Sequence, residues 1–550
     1  MAELIEPQVF HKQTRSVWKP RTLLPGLPEM ALLWLPALLV AAAMLLPIIY
    51  LLLRAGGADL PAWQWLLRTR TLEILGRTIL LVIGVTSAAM VVAVPLAWLT
   101  VRTDLPLGRL WSILIPLPLV IPSYVGAYLF VSALGPRGIL QSWLEAWFGV
   151  TRLPDIHGLP GAVIVLTLIS YPYIYLSVRA ALLKMDPTLE EAARSLGHNL
   201  LKTFRRVTLP QLRPAITVGS LLVALYVLRD FGAVSILRYD TFSRVIYIQY
   251  RSSFDRASAA ALSLILVAMT VVILVLEIRT RGRSLYHSAS ATASRPLARF
   301  SLGAWRWPAL IFCAGVTGLA LLVPAGLLLY WLVRGILAGE QISNLWLATR
   351  NSALASVLAA GFSLLAALPV AVLNVRRPGR LSHLLERVTY VGYALPGIVI
   401  ALALVFFGAN YALSLYQTLP LLIFAYVVLF LPQAVGALRA SILQVQPSLE
   451  EAGRSLGHGP LRIFQKITLP LISPGVAAGA GLVFLTTMKE LPATLILAPI
   501  GFKTLASGLW SAVSEAFFAK AAAPALLLIL VSSLPMAILI IKDQNKASSQ

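Results

Sequence analysis

Long uninterrupted stretches without a charged residue constrain this chain more than any other feature. Ala31 to Leu53, Ile79 to Val101, Asn351 to Val375 and Ala521 to Ile541 each lack Asp, Glu, Lys and Arg. Each is long enough to cross a hydrocarbon core of roughly 30 Å as a helix. Val388 to Leu438 is uncharged throughout, which predicts two spans joined by a tight turn around Gly408-Ala409-Asn410. In hydrocarbon the backbone must satisfy its own hydrogen bonds, so such runs fold as helices. A mean hydropathy of +0.83 and a charged fraction of 12% agree.

The net charge of +23 invites a nucleic-acid partner. The basic residues form no stripe, however, and alternate between loops. With twelve spans, 27 of the 45 Lys and Arg fall in loops on the N-terminal side, 14 on the opposite side and four within spans. That bias predicts cytoplasmic N- and C-termini. The first apolar run begins too late for a cleaved signal peptide. The single cysteine, Cys313, sits in an apolar run and reads as a packing residue.

The chain repeats itself. Leu189 to His198 reads LEEAARSLGH and Leu449 to His458 reads LEEAGRSLGH, nine of ten positions being identical at an offset of 260. From Pro187 to Pro214, 16 of 28 positions match Pro447 to Pro474. The offset also pairs Pro172 with Pro432, Arg179 with Arg439, and Arg229-Asp230 with Lys489-Glu490. Earlier it becomes 274, pairing Pro95 with Pro369, Arg102 with Arg376 and Pro122 with Pro396. The first half therefore carries about 14 extra residues, expected in an outside loop around Gly135 to Gly158 with its amphipathic stretch Gln141 to Phe148.

These observations predict an all-α membrane protein of about twelve transmembrane helices in two parallel six-helix repeats. The expected spans are 31–53, 77–101, 111–134, 160–182, 214–236 and 257–276, then 308–333, 351–375, 388–407, 419–438, 471–495 and 521–541. The expected organisation is an N-terminal cytoplasmic segment 1–30, unit one over 31–278, a basic cytoplasmic linker 279–306, unit two over 307–542 and a tail 543–550.

The repeated loop carries the candidate site. Glu190 and Glu191, and Glu450 and Glu451, stand in the first turn of a short helix, where acids suit the positive helix end. Gly197 and Gly457 offer C-caps tolerant of positive φ. Two near-identical polar loops in one chain fit a two-fold symmetric partner. The loops resemble the EAA motif of ABC importer permeases: Glu191-Ala192-Ala193, Gly197, Val207, Leu209-Pro210, and Glu451-Ala452-Gly453, Gly457, Ile467, Leu469-Pro470. The resemblance implies a type I importer fold in which the loops dock on ATP-binding subunits. Gly453 and Val207 depart from the motif, and Gly453 is expected to loosen the second copy slightly.

No G-x-x-x-x-G-K-[ST] stretch and no Gly-Lys dipeptide occurs, so ATP and its magnesium are expected on two copies of a separate subunit. No cofactor is expected on this chain, which is not read as an enzyme. His198 and His458 read as loop structure rather than metal ligands. Arg229, Asp230, Lys489 and Glu490 are expected either as ion pairs capping helices or as an outer gate.

The segments Arg229-Asp-Phe-Gly-Ala233, Tyr239-Asp-Thr-Phe242, Lys489-Glu-Leu-Pro-Ala-Thr494 and Gly501-Phe-Lys-Thr504 resemble fused ferric-iron permeases, which work with periplasmic binding proteins in the bacterial inner membrane. Fused thiamine permeases share the layout. An ion-gradient-driven secondary transporter shares the helix count but has no use for paired docking loops. Tyr239, Asp240, Tyr247, Tyr250 and Asp255 offer hard oxygen donors, though interfacial tyrosines ordinarily anchor or dock.

Overall fold

The computed structural model describes residues 27–56, 68–136, 138–150, 152–185, 188–252, 256–284, 300–340 and 345–548. Most of segment 1–30 and of linker 279–306 lies outside them, as do Pro187 and Asp255. The described residues are helical, with one isolated bridge between Thr103 and Phe300.

The first half consists of α1 (Leu27–Gly56), α2 (Thr69–Arg102), α3 (Ser123–Leu134), α4 (Leu159–Lys184), α5 (Thr188–Ser195), α6 (Leu209–Arg229) and α7 (Arg256–Ser284). The second has α8 (Arg306–Thr317), α9 (Val323–Leu337), α10 (Leu345–Arg376), α11 (Gly397–Tyr411), α12 (Leu419–Gln444), α13 (Pro447–Ser455), α14 (Leu469–Met488) and α15 (Phe518–Ser548). A five-residue π turn, Gly318–Leu322, joins α8 to α9, making one first span. Among the described residues nine helices are long and apolar enough to cross a membrane. A helix pair bent by 94° makes a tenth if counted as one span, and Gly397–Tyr411 and Phe518–Ser533 are shorter apolar helices.

The third span of each half corrects the expected boundaries. The chain does not run straight through 111–134; it breaks between Gly108–Val120 and Ser123–Phe148. The expected span 388–407 is likewise broken, into the end of a helix at Thr389, a short helix Val391–Ala394 and a longer one from Gly397. Pro122 and Pro396 occupy the N-cap positions of α3 and α11. A proline has no N–H to continue a helix and pushes its predecessor to extended geometry; Ile121 has φ −77° and ψ 119°. The fifth spans, expected over 214–236 and 471–495, end early at Arg229 and Met488, then turn into the short helices Gly232–Ile236 and Pro492–Leu497. The extra segment of the first half forms a helix, Ile139–Phe148, with Trp143, Trp147 and Phe148 exposed.

The first spans change partners. Ala37, Ala41, Met44 and Leu51 of α1 are buried in one core with Ala355, Ala359, Ile398 and Leu402 of the second half. Tyr50 stacks on Phe406 with ring centroids 5.6 Å apart. Reciprocally, Ala309 and Cys313 of α8 and Ala320 join the core of the first half, with Leu81, Val85 and Tyr171. Each half is thus embraced by the leading helix of the other.

Candidate functional site

Each repeated loop is mounted on a buried clamp. In the first half, Arg102 at the end of α2 is fully buried. Its Nη2 lies 3.6 Å from Glu190 Oε2 and donates to the Met185 carbonyl at 3.3 Å. Thr208 Oγ1 donates to Glu190 Oε1 at 2.6 Å. In the second half, Arg376 Nη2 and Nε donate to Glu450 Oε1 at 2.9 and 3.2 Å. Arg376 also donates to the Val445 carbonyl, and Thr468 Oγ1 to Glu450 Oε1. Every member has its equivalent at an offset of 274 or 260. Glu190 and Glu450, expected among the docking residues, are 2% and 8% exposed and face inward. They tie the loop helix to the end of the second span and the start of the fifth. Glu191 and Ala192, and Glu451 and Ala452, are exposed, as are Gly197, Gly457, Leu469 and Pro470.

The loop helices end where their glycines stand. Gly197 has φ +82° and Gly457 φ +78°. Gly197 N donates to Arg194 O and His198 N to Ala193 O; Gly457 and His458 do the same toward Arg454 and Gly453. This paired closure requires a left-handed residue, which glycine adopts without a Cβ penalty. The chain then widens into π turns, Phe204–Thr208 and Phe464–Thr468, ahead of Leu209-Pro210 and Leu469-Pro470. A proline four residues on cannot donate, and its ring crowds the carbonyl, so widening relieves both problems.

Gly453 does not loosen the second copy. A Cβ there would stand 2.9 Å from Ile467 Cδ1 and 3.2 Å from Ile463 Cγ1. At the equivalent positions the first copy has buried Ala193 and the shorter Val207. Small with large in one copy replaces medium with medium in the other.

Sequence reasoning missed two leucine pairs. Leu196 and Leu456 are 79% and 77% exposed, and Leu189 and Leu449 are also exposed. Apolar side chains projecting from polar loops mark a contact surface, and their repetition at both loops was the available signal. The first loop has one further brace. Arg194 lies 5.0 Å over the Phe300 ring, and Phe300 N donates to Arg102 O at 2.7 Å.

The four charged residues of the fifth spans meet at the seam between halves. Asp230 Oδ1 accepts from Ala233 N at 3.0 Å and Val234 N at 3.2 Å. Glu490 Oε1 accepts from Ala493 N, and Oε2 from Thr494 N, both at 3.0 Å. The acids therefore cap the short helices that follow. Neither forms an ion pair within 4 Å with its neighbouring cation. Lys489 Nζ instead reaches into the first half and donates to Leu119 O at 3.2 Å. Arg229 interacts with Tyr393 of the second half, the position equivalent to Leu119. Both cations thus cross the seam at matching places.

Among the described residues the expected oxygen donors do not converge. Tyr239 donates to the Arg77 carbonyl, Asp240 pairs with Arg244 and Tyr247 packs on Phe231. Among the described residues no three His, Cys, Asp or Glu side chains are placed to hold a metal ion.

Two parallel helical repeats, each with a clamped loop, define a duplicated multi-pass permease. The chain belongs to the family of binding-protein-dependent transport system inner membrane components, whose pattern it matches twice, over residues 88–279 and 359–544. It is 37% identical over 519 residues to the Fe(3+)-transport system permease protein FbpB 2 of Haemophilus influenzae, covering 93% of this chain and 99% of that one. It is 25% identical over 460 residues to the ferric transport system permease protein FbpB of Actinobacillus pleuropneumoniae, covering 80% and 65%. The molybdenum transport system permease protein ModB of Escherichia coli is 36% identical over 161 residues, covering 28% of this chain and 69% of that one.

Proposed function

We propose that this chain is the membrane-spanning subunit of an ATP-driven importer that moves ferric iron into the cytoplasm. The likeness to an Fe(3+)-transport permease along nearly the whole of both chains carries the substrate assignment. The two clamped loops with their exposed leucines support the energy source, because a two-fold ATPase offers the same groove twice. Two copies of an ATP-binding subunit hold ATP and magnesium, one on each loop, and this chain performs no bond chemistry. A periplasmic binding protein delivers the iron at the opposite face. The positive-inside bias supports N- and C-termini in the cytoplasm.

The mechanism is alternating access. Closure of the ATPase pair draws the loops together. The clamps Arg102–Glu190 and Arg376–Glu450 pass that displacement to the second and fifth spans, because a buried charge pair resists separation. The fifth spans carry the crossing cations at their far ends, so the seam opens outward. Hydrolysis resets it.

Uptake of radiolabelled ferric iron into vesicles containing the whole complex tests the reading. Iron should enter with ATP present and ion gradients collapsed. Uptake that follows the gradient, or that thiamine abolishes by competition, would overturn it.

A further inference from the structure

The residues that lead into the second half are strapped to the first loop. Phe300 N donates to Arg102 O at 2.7 Å, and Asp104 N donates to Phe300 O at 3.1 Å. These two bonds form the parallel bridge between Thr103 and Phe300. Leu302 N then donates to Asp104 Oδ1 at 2.9 Å. One short segment is thus bonded to the end of α2 three times.

The Phe300 ring, 6% exposed, is held from two sides. Trp98 of α2 stacks on it with centroids 6.2 Å apart. Trp98 also meets Phe204, the first residue of the π turn, edge-on at 5.4 Å. From the loop helix α5, the Arg194 guanidinium lies 5.0 Å from the Phe300 ring centre, a cation–π contact. Phe300 therefore grips the loop at its helix directly and at its π turn through Trp98. Its backbone is bonded to Arg102, whose side chain faces Glu190 in the clamp. One turn further on, after Gly303–Trp305, α8 begins at Arg306.

The second loop is not built to hold such a strap. The offset of 274 pairs Trp98 with Val372 and Asp104 with Pro378. Valine offers no ring to stack on. Proline has neither an N–H to donate nor a carboxylate to accept. Arg454, the equivalent of Arg194, lies 4.0 Å from Glu450. The second loop keeps the clamp and lacks the surface on which a strap would sit.

We infer that Phe300 is a positioning residue for the first loop. It joins that loop, the end of α2 and the start of α8 into one block, while the second loop is held by its clamp alone. Two loops that look alike to a symmetric partner are therefore unequal in freedom. The first is preset for its ATP-binding subunit, and the second takes up most of the closing displacement. This consequence rests on the reading of the loops as ATPase docks.

Nitroxide labels on Ser195→Cys and Ser455→Cys, equivalent exposed positions, report each loop separately in the full-length chain in lipid nanodiscs. Cys313 is buried and takes no label. The first label should be the slower by about twofold or more in rotational correlation time, on the nanosecond scale of loop motion. Phe300→Ala should release the first label to the mobility of the second and leave the second unchanged. Asp104→Ala should release it in part, and Asp104→Asn, which keeps an acceptor for Leu302 N, should not. In the complete complex, Phe300→Ala should raise the ATP hydrolysed per iron transported by about threefold, a size usual for changes in coupling. Equal mobility of the two labels in the unsubstituted chain overturns the inference. So does a first label that Phe300→Ala leaves slow, or two labels that it loosens alike. ATP-binding subunits that fail to bind either loop would overturn the docking reading and leave the strap, read by the labels, standing.

Discussion

A Cβ on Gly397 would lie 2.8 Å from Glu490 Oε1. At the equivalent place in the first half, Ser123 stands beside the Asp230 carboxylate. The longer acid is matched with no side chain, and the shorter acid with a serine. In both halves the residue just after the helix-breaking proline is fitted to the acid that caps the next short helix.

This relationship predicts coupling. Gly397→Ala crowds Glu490 and should lower stability by about 1–3 kcal/mol, the usual range for overpacking. Glu490→Asp alone lengthens the capping bonds. Gly397→Ser with Glu490→Asp copies the first half, and should recover about 1 kcal/mol relative to additivity. Thermal unfolding of the purified proteins in detergent reads the cycle.

The clamps predict a loss that surface ion pairs would not show. Glu190→Ala leaves the fully buried Arg102 without its carboxylate and should cost about 3–5 kcal/mol, as for other broken buried pairs. Arg376→Ala should be comparable, with Glu450 left behind. Lower melting temperatures, together with uncoupled ATP hydrolysis in the complex, would confirm that the clamp transmits movement. Unchanged coupling would refute it.

The left-handed glycines predict a steric effect at both loops. Gly197→Ala or Gly457→Ala forces an L residue to φ near +80°, at about 1–2 kcal/mol each. The space around both Cβ positions is open, so the penalty is conformational. Asparagine should be tolerated better than alanine in the same melts, because it visits that region more readily.

The exposed leucines predict a separation of docking from folding. Leu196→Asp and Leu456→Asp should leave the melting temperature nearly unchanged while weakening ATPase binding about tenfold or more, as expected for a truncated interface anchor. Co-purification of the ATP-binding subunit, with titration of its affinity, checks this. Equal binding by the double variant would move the docking surface elsewhere.

The compensating pair in the loops predicts rescue. Gly453→Ala should destabilise by about 1 kcal/mol against Ile467, within the range for small overpacking changes. Adding Ile467→Val reproduces the Ala193 and Val207 arrangement of the first copy and should restore the loss.

The sequence by itself determined the membrane class, the duplication and the two loops. Apolar run length, repetition and the Gly197 cap are local properties, fixed by backbone chemistry and hydrocarbon thickness. It also named Glu190 and Glu450, but not the direction they face: an acid in a first helical turn reads alike whether it meets a partner or a buried arginine 88 residues earlier. Only the tertiary structure decided that. It decided as well that α1 and α8 exchange halves, because a helix apolar on every side carries no mark of which neighbour it will pack against. The separation of Arg229 and Lys489 from the acids beside them belongs there too. Adjacent residues suggest an ion pair, but the helix breaks at that point, and free backbone amides claim the carboxylates first.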